Sequence, residues 1–160
     1  MEKVLVTGGS GYIGLHCISQ LLKAGFSVRT SLRSMDRKKE IQEALSGLIK
    51  DDKSLEFCEL DLMRDDGWDD AVKGCSYVLH VASPVYAKNM KDENSFIQPA
   101  KQGLLRALKP AIKYNIKRFV MTSSIAAITQ GHEDQEIDEK SWSIIDKETL
   151  PYIKSKTYAE

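Results

Sequence analysis

A tyrosine and a lysine near the end of the sequence have the types and the spacing of a proton-transfer pair. Tyr152 and Lys156 lie four positions apart in the segment PYIKSKTYAE, so both side chains would emerge on one face of a helix. A nearby ammonium favours the charged form of a phenol, which prepares the tyrosine to give a proton to a reacting oxygen. Tyrosine and lysine at this spacing are also common on solvated helices, so the pair needs support from other residues.

A glycine-rich segment at the other end of the sequence has the pattern of a phosphate-binding loop. Gly8, Gly11 and Gly14 follow the apolar run KVLVT and open a helical pattern. In such a loop the first glycine permits a tight turn, the second lets the backbone approach a pyrophosphate, and the third lets helix and strand pack closely. The helix that follows presents unpaired N–H groups to an anion. We therefore predict a dinucleotide site rather than a glycine-rich turn without a ligand.

The end of the second apolar run indicates which dinucleotide binds. An NAD site usually has an Asp or Glu there, which accepts hydrogen bonds from the ribose. This sequence has Ser31, Leu32 and Arg33 at that place and no acidic residue. A guanidinium suits bidentate contact with a 2′-phosphate, so we predict NADP(H) rather than NAD(H), with Arg33 and Lys39 as phosphate-binding residues. The same segment contains further cations: Arg29, Arg37 and Lys38.

These residues must be positioned by a sheet that carries helices on both faces. Apolar runs of strand length alternate with longer helical patterns, which predicts parallel strands joined by right-handed crossovers. The predicted strands are 3–7, 27–32, 55–60, 76–82 and 118–123, and the predicted helices are 11–24, 37–49, 67–73 and 94–113. The fold class is therefore α/β, a Rossmann doubly wound parallel sheet of about five strands in the order 3-2-1-4-5. Residues 1–160 would form a single NAD(P)-binding domain.

The helical pattern 94–113 contains residues that should shape its ends. Pro99 fits best in the first turn, and Pro110 should bend or shorten the helix because proline has no N–H to donate. Asn115 stands where a residue in the left-handed conformation would close the helix. These residues predict where the helix begins and ends.

Some polar residues in the predicted strands and in the short helix 67–73 have predicted structural roles. His80 lies within the run 76–82, which should be buried on both faces of the sheet, and we expect a core histidine there. The run 118–123 should form an exposed edge of the sheet. Asp65 or Asp66 would cap the helix 67–73.

Composition and charge exclude several classes of function. Of the 160 residues, 42% are hydrophobic and 29% are charged, as in ordinary globular domains. The formal net charge of zero offers no basic surface to nucleic acid or to an anionic membrane. No apolar run approaches the roughly 18 residues of a membrane helix, and no signal-peptide core follows Met1. Three cysteines without CxxC spacing favour reduced thiols, so we expect a cytoplasmic protein without a metal site.

The motifs at the two ends together resemble an extended short-chain dehydrogenase/reductase of the NAD-dependent epimerase/dehydratase superfamily. Within it, the sequence is most similar to the branch of dihydroflavonol reductases, cinnamoyl-CoA reductases and related aldehyde and ketone reductases. The segments that carry the resemblance are VTGGSGYIG (6–14), SVRTSLR (27–33), LDL (60–62), VLHVASP (78–84), KRFVMTSS (117–124) and YIKSK (152–156). These motifs are specific for the fold and the cofactor, whereas they do not encode the substrate.

The resemblance implies an NADP(H)-dependent oxidoreductase that reduces an aldehyde or a ketone by hydride transfer. Tyr152 matches the proton donor of that family, and Lys156 matches its partner. Ser124 matches the serine that donates a hydrogen bond to the same substrate oxygen, with Ser123 as a less favoured candidate. These matches make Ser124, Tyr152 and Lys156 the predicted catalytic residues.

The resemblance also assigns residues to the cofactor. The loop from Thr7 to Gly14 would surround the pyrophosphate, and Asp61 and Leu62 would lie beside the adenine. The complete predicted set is Thr7, Gly8, Gly11, Tyr12, Ile13, Gly14, Arg33, Lys39, Asp61, Leu62, Val81, Ala82, Ser83, Tyr152 and Lys156.

Members of this branch continue beyond the point that corresponds to Glu160. The resemblance therefore implies that the chain corresponds to the N-terminal half of such an enzyme, without the C-terminal substrate-binding region, and that it can be inactive by itself. A small-molecule carbonyl or alcohol substrate and a homodimer are further expectations. Two alternatives stay open: a sugar-nucleotide epimerase or dehydratase of the same superfamily, and a non-catalytic dinucleotide-binding module.

Overall fold

A computed structural model describes residues 2–49, 51, 54–84, 93–133 and 136–160. Its strands are β1 (Lys3–Thr7), β2 (Ser27–Leu32), β3 (Leu55–Glu59), β4 (Tyr77–His80) and β5 (Arg118–Met121). Its α-helices are α1 (Tyr12–Lys23), α2 (Lys38–Ala44), α3 (Trp68–Val72), α4 (Asn94–Lys113) and α5 (Pro151–Ala159). Short 3₁₀ helices span Met35–Arg37, Ser46–Leu48 and Ile125–Ala127.

The strands form one parallel sheet in the order β3-β2-β1-β4-β5. In its register, Leu5 of β1 faces Arg29 of β2 on one side and Val78 of β4 on the other. This arrangement confirms the predicted fold class and strand order. None of the described helices is long and apolar enough to cross a membrane.

The described chain divides into two compact units. The first comprises Met1–Ala82 and Leu105–Thr122 and contains the whole sheet. The second comprises Ser83–Leu104 and Ser123–Glu160 and contains α5. The single domain that the sequence suggested stays a prediction.

Two apolar clusters of the first unit cover the two faces of β1. Val4 and Val6 pack with residues of α1 and α2, whereas Leu5 packs with residues of α3 and α4, because neighbouring side chains of a strand point to opposite faces. All three are at most 1% exposed, and each stabilises the fold by about 2 kcal/mol. A parallel sheet covered on both faces leaves the carboxyl ends of its strands as the place for a site.

In the second unit, hydrogen bonds connect two parts of the loop segment that precedes α5. The amide of Ser143 donates to the carbonyl of Ala127 at 2.8 Å, and the amide of Ile144 donates to the carbonyl of Gln130 at 2.9 Å. The Ser143 hydroxyl donates to the carbonyl of Ala126 at 2.8 Å. These bonds fix the 3₁₀ helix that follows Ser124.

Helix α4 differs from its prediction at Pro99, and it is not shortened at Pro110. The helix begins at Asn94, so Pro99 lies in the second turn, and it continues past Pro110 to Lys113. Burial of Ala107 on the neighbouring turn shows why, since packing of an apolar face outweighs local propensity. Asn115 has a φ of 52°, which confirms the left-handed closure.

Two smaller predictions in the first unit are wrong. The residue that precedes α3 is Gly67 with a φ of 81°, and Asp65 instead accepts a hydrogen bond from Arg106 at 2.6 Å. The predicted burial of the run 76–82 on both faces is also wrong, since Tyr77 and Leu79 of β4 are half-buried. The neighbouring strand β5 ends the sheet, and its Val120 is 48% exposed. The edge position of β5 itself was predicted.

Candidate functional site

The glycine loop leaves the carboxyl end of β1 and is held by the end of β2. Gly8 has a φ of 74°, a left-handed conformation that favours glycine. Its amide donates to the Ser31 hydroxyl at 3.2 Å, and the amide of Gly9 donates to the Ser31 carbonyl at 3.0 Å. Ser31, which stands where an NAD site has its acid, therefore supports the loop.

Two glycines allow close contacts inside this loop. A Cβ on Gly14 would lie 2.3 Å from the carbonyl oxygen of Gly8, in line with the close packing predicted for the third glycine. A Cβ on Gly9 would lie 1.9 Å from the Thr30 hydroxyl oxygen. The sequence pattern did not single out Gly9, because its constraint comes from a side chain on the neighbouring strand.

The first turn of α1 presents hydrogen-bond donors. Gly11 precedes the helix without a side-chain cap, and the amides of Tyr12 and Ile13 have no hydrogen-bond partner within the described ranges. The side chains of Tyr12 and Ile13 are exposed. Unpaired amides at the positive end of a helix dipole fit a phosphate group.

Thr7 supports the loop from the interior of the sheet. Its side chain is fully buried, and its hydroxyl oxygen accepts the amide of Ala82 at 3.0 Å. The same oxygen lies 3.1 Å from Nδ1 of His80, which is 4% exposed, as expected of a core histidine. Ala82 in turn contacts the loop, since a Cβ on Gly8 would lie 3.1 Å from its Cα. Val81 packs against the apolar cluster beneath.

A cavity of about 220 Å³ lies at the carboxyl ends of β2 and β3. Its lining residues are Arg33, Glu59, Leu60, Asp61, Arg64, Asp66 and Gly67. The Arg33 guanidinium has no ion-pair or hydrogen-bond partner among the residues that the structure describes, so its donors are available to a ligand. Leu62 and Lys39 do not line this cavity, although both were predicted to contact the cofactor.

Arg64 also lines this cavity, and the sequence pattern did not predict it. It lies 3.1 Å from Asp66 in an exposed ion pair. Asp61 also has a local partner, since its Oδ1 accepts the amide of Met63 at 2.8 Å. The proximity of the LDL segment to Arg64 was the one available signal.

The other cations on β2 and on the two helices that follow it have partners of their own. Arg29 donates to Glu56 at 2.9 Å and to three carbonyl groups at the end of α3. Burial alone would raise the pKa of Glu56, but hydrogen bonds from Lys3 and Arg29 hold it below its ordinary value. The remaining contacts are those of Arg37 with Glu40 and the Ser10 carbonyl, of Lys39 with Glu43 at 3.8 Å, and of Lys38 with the Phe57 ring.

The second unit brings the predicted catalytic residues together. The Tyr152 hydroxyl lies 3.5 Å from the Ser124 hydroxyl oxygen. The ammonium of Lys156 lies 5.7 Å from the centre of the Tyr152 ring and donates to the Ser83 hydroxyl at 2.9 Å. Lys156 is 6% exposed, so its charge acts in a partly dry environment, where electrostatic effects are larger than in water.

The two neighbouring serines have different partners. The Ser124 oxygen accepts the amide of Ala126 at 3.2 Å, which leaves its proton available for donation. The Ser123 hydroxyl instead donates to the carboxylate of Glu160. This difference favours Ser124 over Ser123 as the donor to a substrate oxygen.

The cysteines and histidines of the described chain form no further reactive site. Burial raises the pKa of the Cys58 thiol to about 11 and also raises the pKa of Cys75. All three cysteines are free thiols. Among the described residues no cluster of His, Cys, Asp or Glu is suited to a metal ion.

Several known proteins are similar to this chain in sequence or in fold. A dihydroflavonol 4-reductase from Solanum lycopersicum is 37% identical over 146 residues, which cover 89% of this chain and 38% of that protein. The crystal structure of yeast methylglyoxal/isovaleraldehyde reductase Gre2 complexed with NADPH matches with a TM-score of 0.85 and 28% identity, over 98% of this chain and 50% of that one. Vestitone reductase from alfalfa (Medicago sativa L.) matches with a TM-score of 0.80 and 30% identity, over 99% and 50%.

The chain spans half or less of the length of these relatives. A sequence model described as the NAD dependent epimerase/dehydratase family matches residues 4–160, which is nearly the whole chain. With the parallel sheet and its glycine loop, this match shows that the chain belongs to the NAD dependent epimerase/dehydratase family.

Proposed function

We propose that this protein is an NADP(H)-dependent oxidoreductase that reduces an aldehyde or a ketone, with Tyr152 as the proton donor. The observation that carries this proposal is the arrangement of Tyr152 beside Ser124 with the buried ammonium of Lys156 close to its ring. The similar proteins add support, because their names are those of reductases and the yeast structure is a complex with NADPH.

The first unit supplies the groups that suit the phosphates of NADP(H). The unpaired amides of Tyr12 and Ile13 would receive the pyrophosphate, and Gly8, Gly11 and Gly14 leave room for it. Arg33 would hold the 2′-phosphate in a bidentate contact.

The second unit supplies the groups that suit a carbonyl. Bound NADPH supplies the hydride for the carbonyl carbon. Tyr152 then gives its proton to the carbonyl oxygen, while Ser124 donates a hydrogen bond to that oxygen as negative charge develops. The ammonium of Lys156 stabilises the phenolate that remains on Tyr152. Ser83 orients this ammonium through the bond at 2.9 Å.

Lys39 and Leu62 receive a smaller part in this proposal than the sequence suggested. Lys39 is exposed and Leu62 packs against the apolar cluster of α3 and α4. Asp61, which lines the cavity beside Arg33, is the better candidate for contact with the adenine. A homodimer and a cytoplasmic location stay predictions.

The proposal is tested by following the absorbance of NADPH in the presence of the chain and a panel of aldehydes and ketones. We expect oxidation that requires both a carbonyl compound and the protein, and that is slower with NADH. NADPH binding without turnover of any carbonyl would favour a non-catalytic dinucleotide-binding module. A preference for NADH would contradict the role of Arg33.

A further inference from the structure

The buried side chains of helix α5 are polar. They are Lys154, Ser155 and Lys156. The Ser155 hydroxyl donates to the carbonyl of Tyr152 at 2.7 Å, so its bond stays within the helix. The preceding residue, Leu150, offers no side-chain cap to the first turn. The fully buried side chains of this helix are polar and no side chain caps its first turn, so the outward contacts of the two lysines contribute to its placement. They act beside the bonds of Tyr152 to Ser124 and of Ser123 to Glu160.

Lys154 connects α5 to the beginning of α4. Its ammonium lies 3.1 Å from the carboxylate of Glu93, and 7% of the Lys154 side chain is exposed. The carbonyl of Glu93 accepts the amides of Phe96 and Ile97, each at 3.1 Å. The ion pair therefore joins the first turn of α5 to the residue that precedes α4.

The turn that leads into α5 contains a further carboxylate. Asp146 accepts hydrogen bonds from the amide and the hydroxyl of Thr149 at 2.8 and 2.7 Å, in the turn that leads into α5. Hydrogen bonds from Thr149 chiefly keep the pKa of Asp146 below its ordinary value, and the charge of Lys154 makes a smaller contribution.

Lys154 pairs with a carboxylate, whereas Lys156 has a neutral hydrogen-bond partner. Lys156 has the neutral hydroxyl of Ser83 as its hydrogen-bond partner, and no described carboxylate lies in ion-pair distance of it. Its charge stays available to Tyr152. The charge of Lys154 is neutralised by Glu93, which suits a structural contact and does not suit proton transfer.

We propose that the Lys154–Glu93 pair is a positioning device for α5, which keeps the Tyr152 hydroxyl beside Ser124. This inference rests on the proposed function of Tyr152. Replacing Glu93 would leave the buried charge of Lys154 without its partner, and α5 would move to solvate it. Replacing Lys154 would remove the contact that ties α5 to Glu93. A displacement of Tyr152 by about 1 Å can lower a rate by about 100-fold, although neither Lys154 nor Glu93 touches the reacting atoms.

The test compares Lys154→Met, Glu93→Gln and Lys154→Arg with a matched control in the full chain. The control is Lys101→Met, which changes an exposed lysine on α4. One readout is kcat and KM for NADPH-dependent carbonyl reduction. The second readout is the ¹³Cζ chemical shift of Tyr152 at neutral pH in protein labelled on tyrosine, assigned with Tyr152→Phe, and it needs no turnover. Glu93→Gln should fold even if Lys154→Met does not, because the Glu93 side chain is 47% exposed.

We expect Glu93→Gln and Lys154→Met to lower kcat by about 10-fold or more, with KM for NADPH unchanged. The Tyr152 resonance should shift in both variants, return with Lys154→Arg and stay in place in Lys101→Met. Unchanged kcat and an unchanged resonance in both variants would overturn the inference. If the chain shows no reductase activity, the Tyr152 resonance alone decides whether the pair positions that residue.

Discussion

The phenolic oxygen of Tyr152 lies 3.5 Å from the hydroxyl oxygen of Ser124, although the two residues are 28 positions apart in the chain. Ser124 is fixed at the start of the 3₁₀ helix Ile125–Ala127, because its hydroxyl oxygen accepts the amide of Ala126 and its carbonyl accepts the amide of Ala127. Tyr152 lies in the first turn of α5. Two hydroxyl groups at this distance can donate to the same substrate oxygen, which is the geometry that carbonyl reduction requires.

We expect Ser124→Ala to lower kcat on the order of 100-fold, because it removes a hydrogen bond that strengthens as charge develops on the oxygen. Affinity for NADPH should not change. Ser123→Ala is the matched control, since the Ser123 hydroxyl donates to Glu160. Steady-state kinetics with one carbonyl compound that the chain reduces measure kcat for both variants. Equal losses in the two variants would remove the distinction between these serines.

Arg33→Met should weaken NADPH binding by about 10- to 100-fold, since hydrogen bonds to a charged group are worth roughly 1.5–3 kcal/mol. Binding of NADH, which has no 2′-phosphate, should change little. Calorimetric titration with each dinucleotide measures this difference.

Arg29→Met is the control for that substitution. The guanidinium of Arg29 is bonded to Glu56 and to the end of α3, so we expect a loss of roughly 1–3 kcal/mol in the free energy of unfolding. The preference for NADPH should stay. If Arg29→Met abolished that preference, the assignment of the phosphate site to Arg33 would be wrong.

Gly14→Ala should impair the glycine loop. The added Cβ would lie 2.3 Å from the Gly8 carbonyl oxygen, and backbone must move to relieve that contact. We expect a lower Tm and an NADPH affinity reduced by about 10-fold or more. Gly47→Ala is the control, because a Cβ there meets no atom within 4 Å. Normal NADPH binding by Gly14→Ala would show that the loop tolerates the displacement.

The stability of the fold should decrease in alkali through Cys58. Burial raises the pKa of this thiol from 9.0 to about 11 in the folded chain, so the unfolded chain loses the proton first. The contribution is present below the unfolded pKa and is lost as the pH rises from about 9 toward about 11. Urea unfolding at about pH 8 and about pH 10 should show a smaller decrease for Cys58→Ala than for the unchanged chain. Parallel decreases in both chains would contradict the raised pKa.

The sequence predicted the parts of the fold that depend on local pattern. Alternating apolar runs and helical segments were enough to predict a parallel sheet with right-handed crossovers, and the strand order followed from the Rossmann fold that the glycine loop and the family resemblance imply. The spacing of Gly8, Gly11 and Gly14 located the loop, since each glycine acts within one strand–turn–helix unit. The left-handed conformation of Asn115 was predictable for the same local reason.

The missed features depend on residues distant in sequence. Gly9 is constrained by Thr30 on the next strand, and Asp65 is paired with Arg106, 41 positions away. The contact of Lys154 with Glu93 spans 61 positions. No spacing within a segment encodes such pairs, because they form only after the elements have packed.

The most direct test of the proposed function is the turnover of Tyr152→Phe beside that of Tyr158→Phe. Both tyrosines lie on α5, and Tyr158 is exposed. Loss of the phenol proton donor should lower kcat by about 100-fold or more in Tyr152→Phe with unchanged NADPH affinity, whereas Tyr158→Phe should behave like the unchanged chain. Wild-type turnover in Tyr152→Phe would contradict the assignment of Tyr152 as the proton donor.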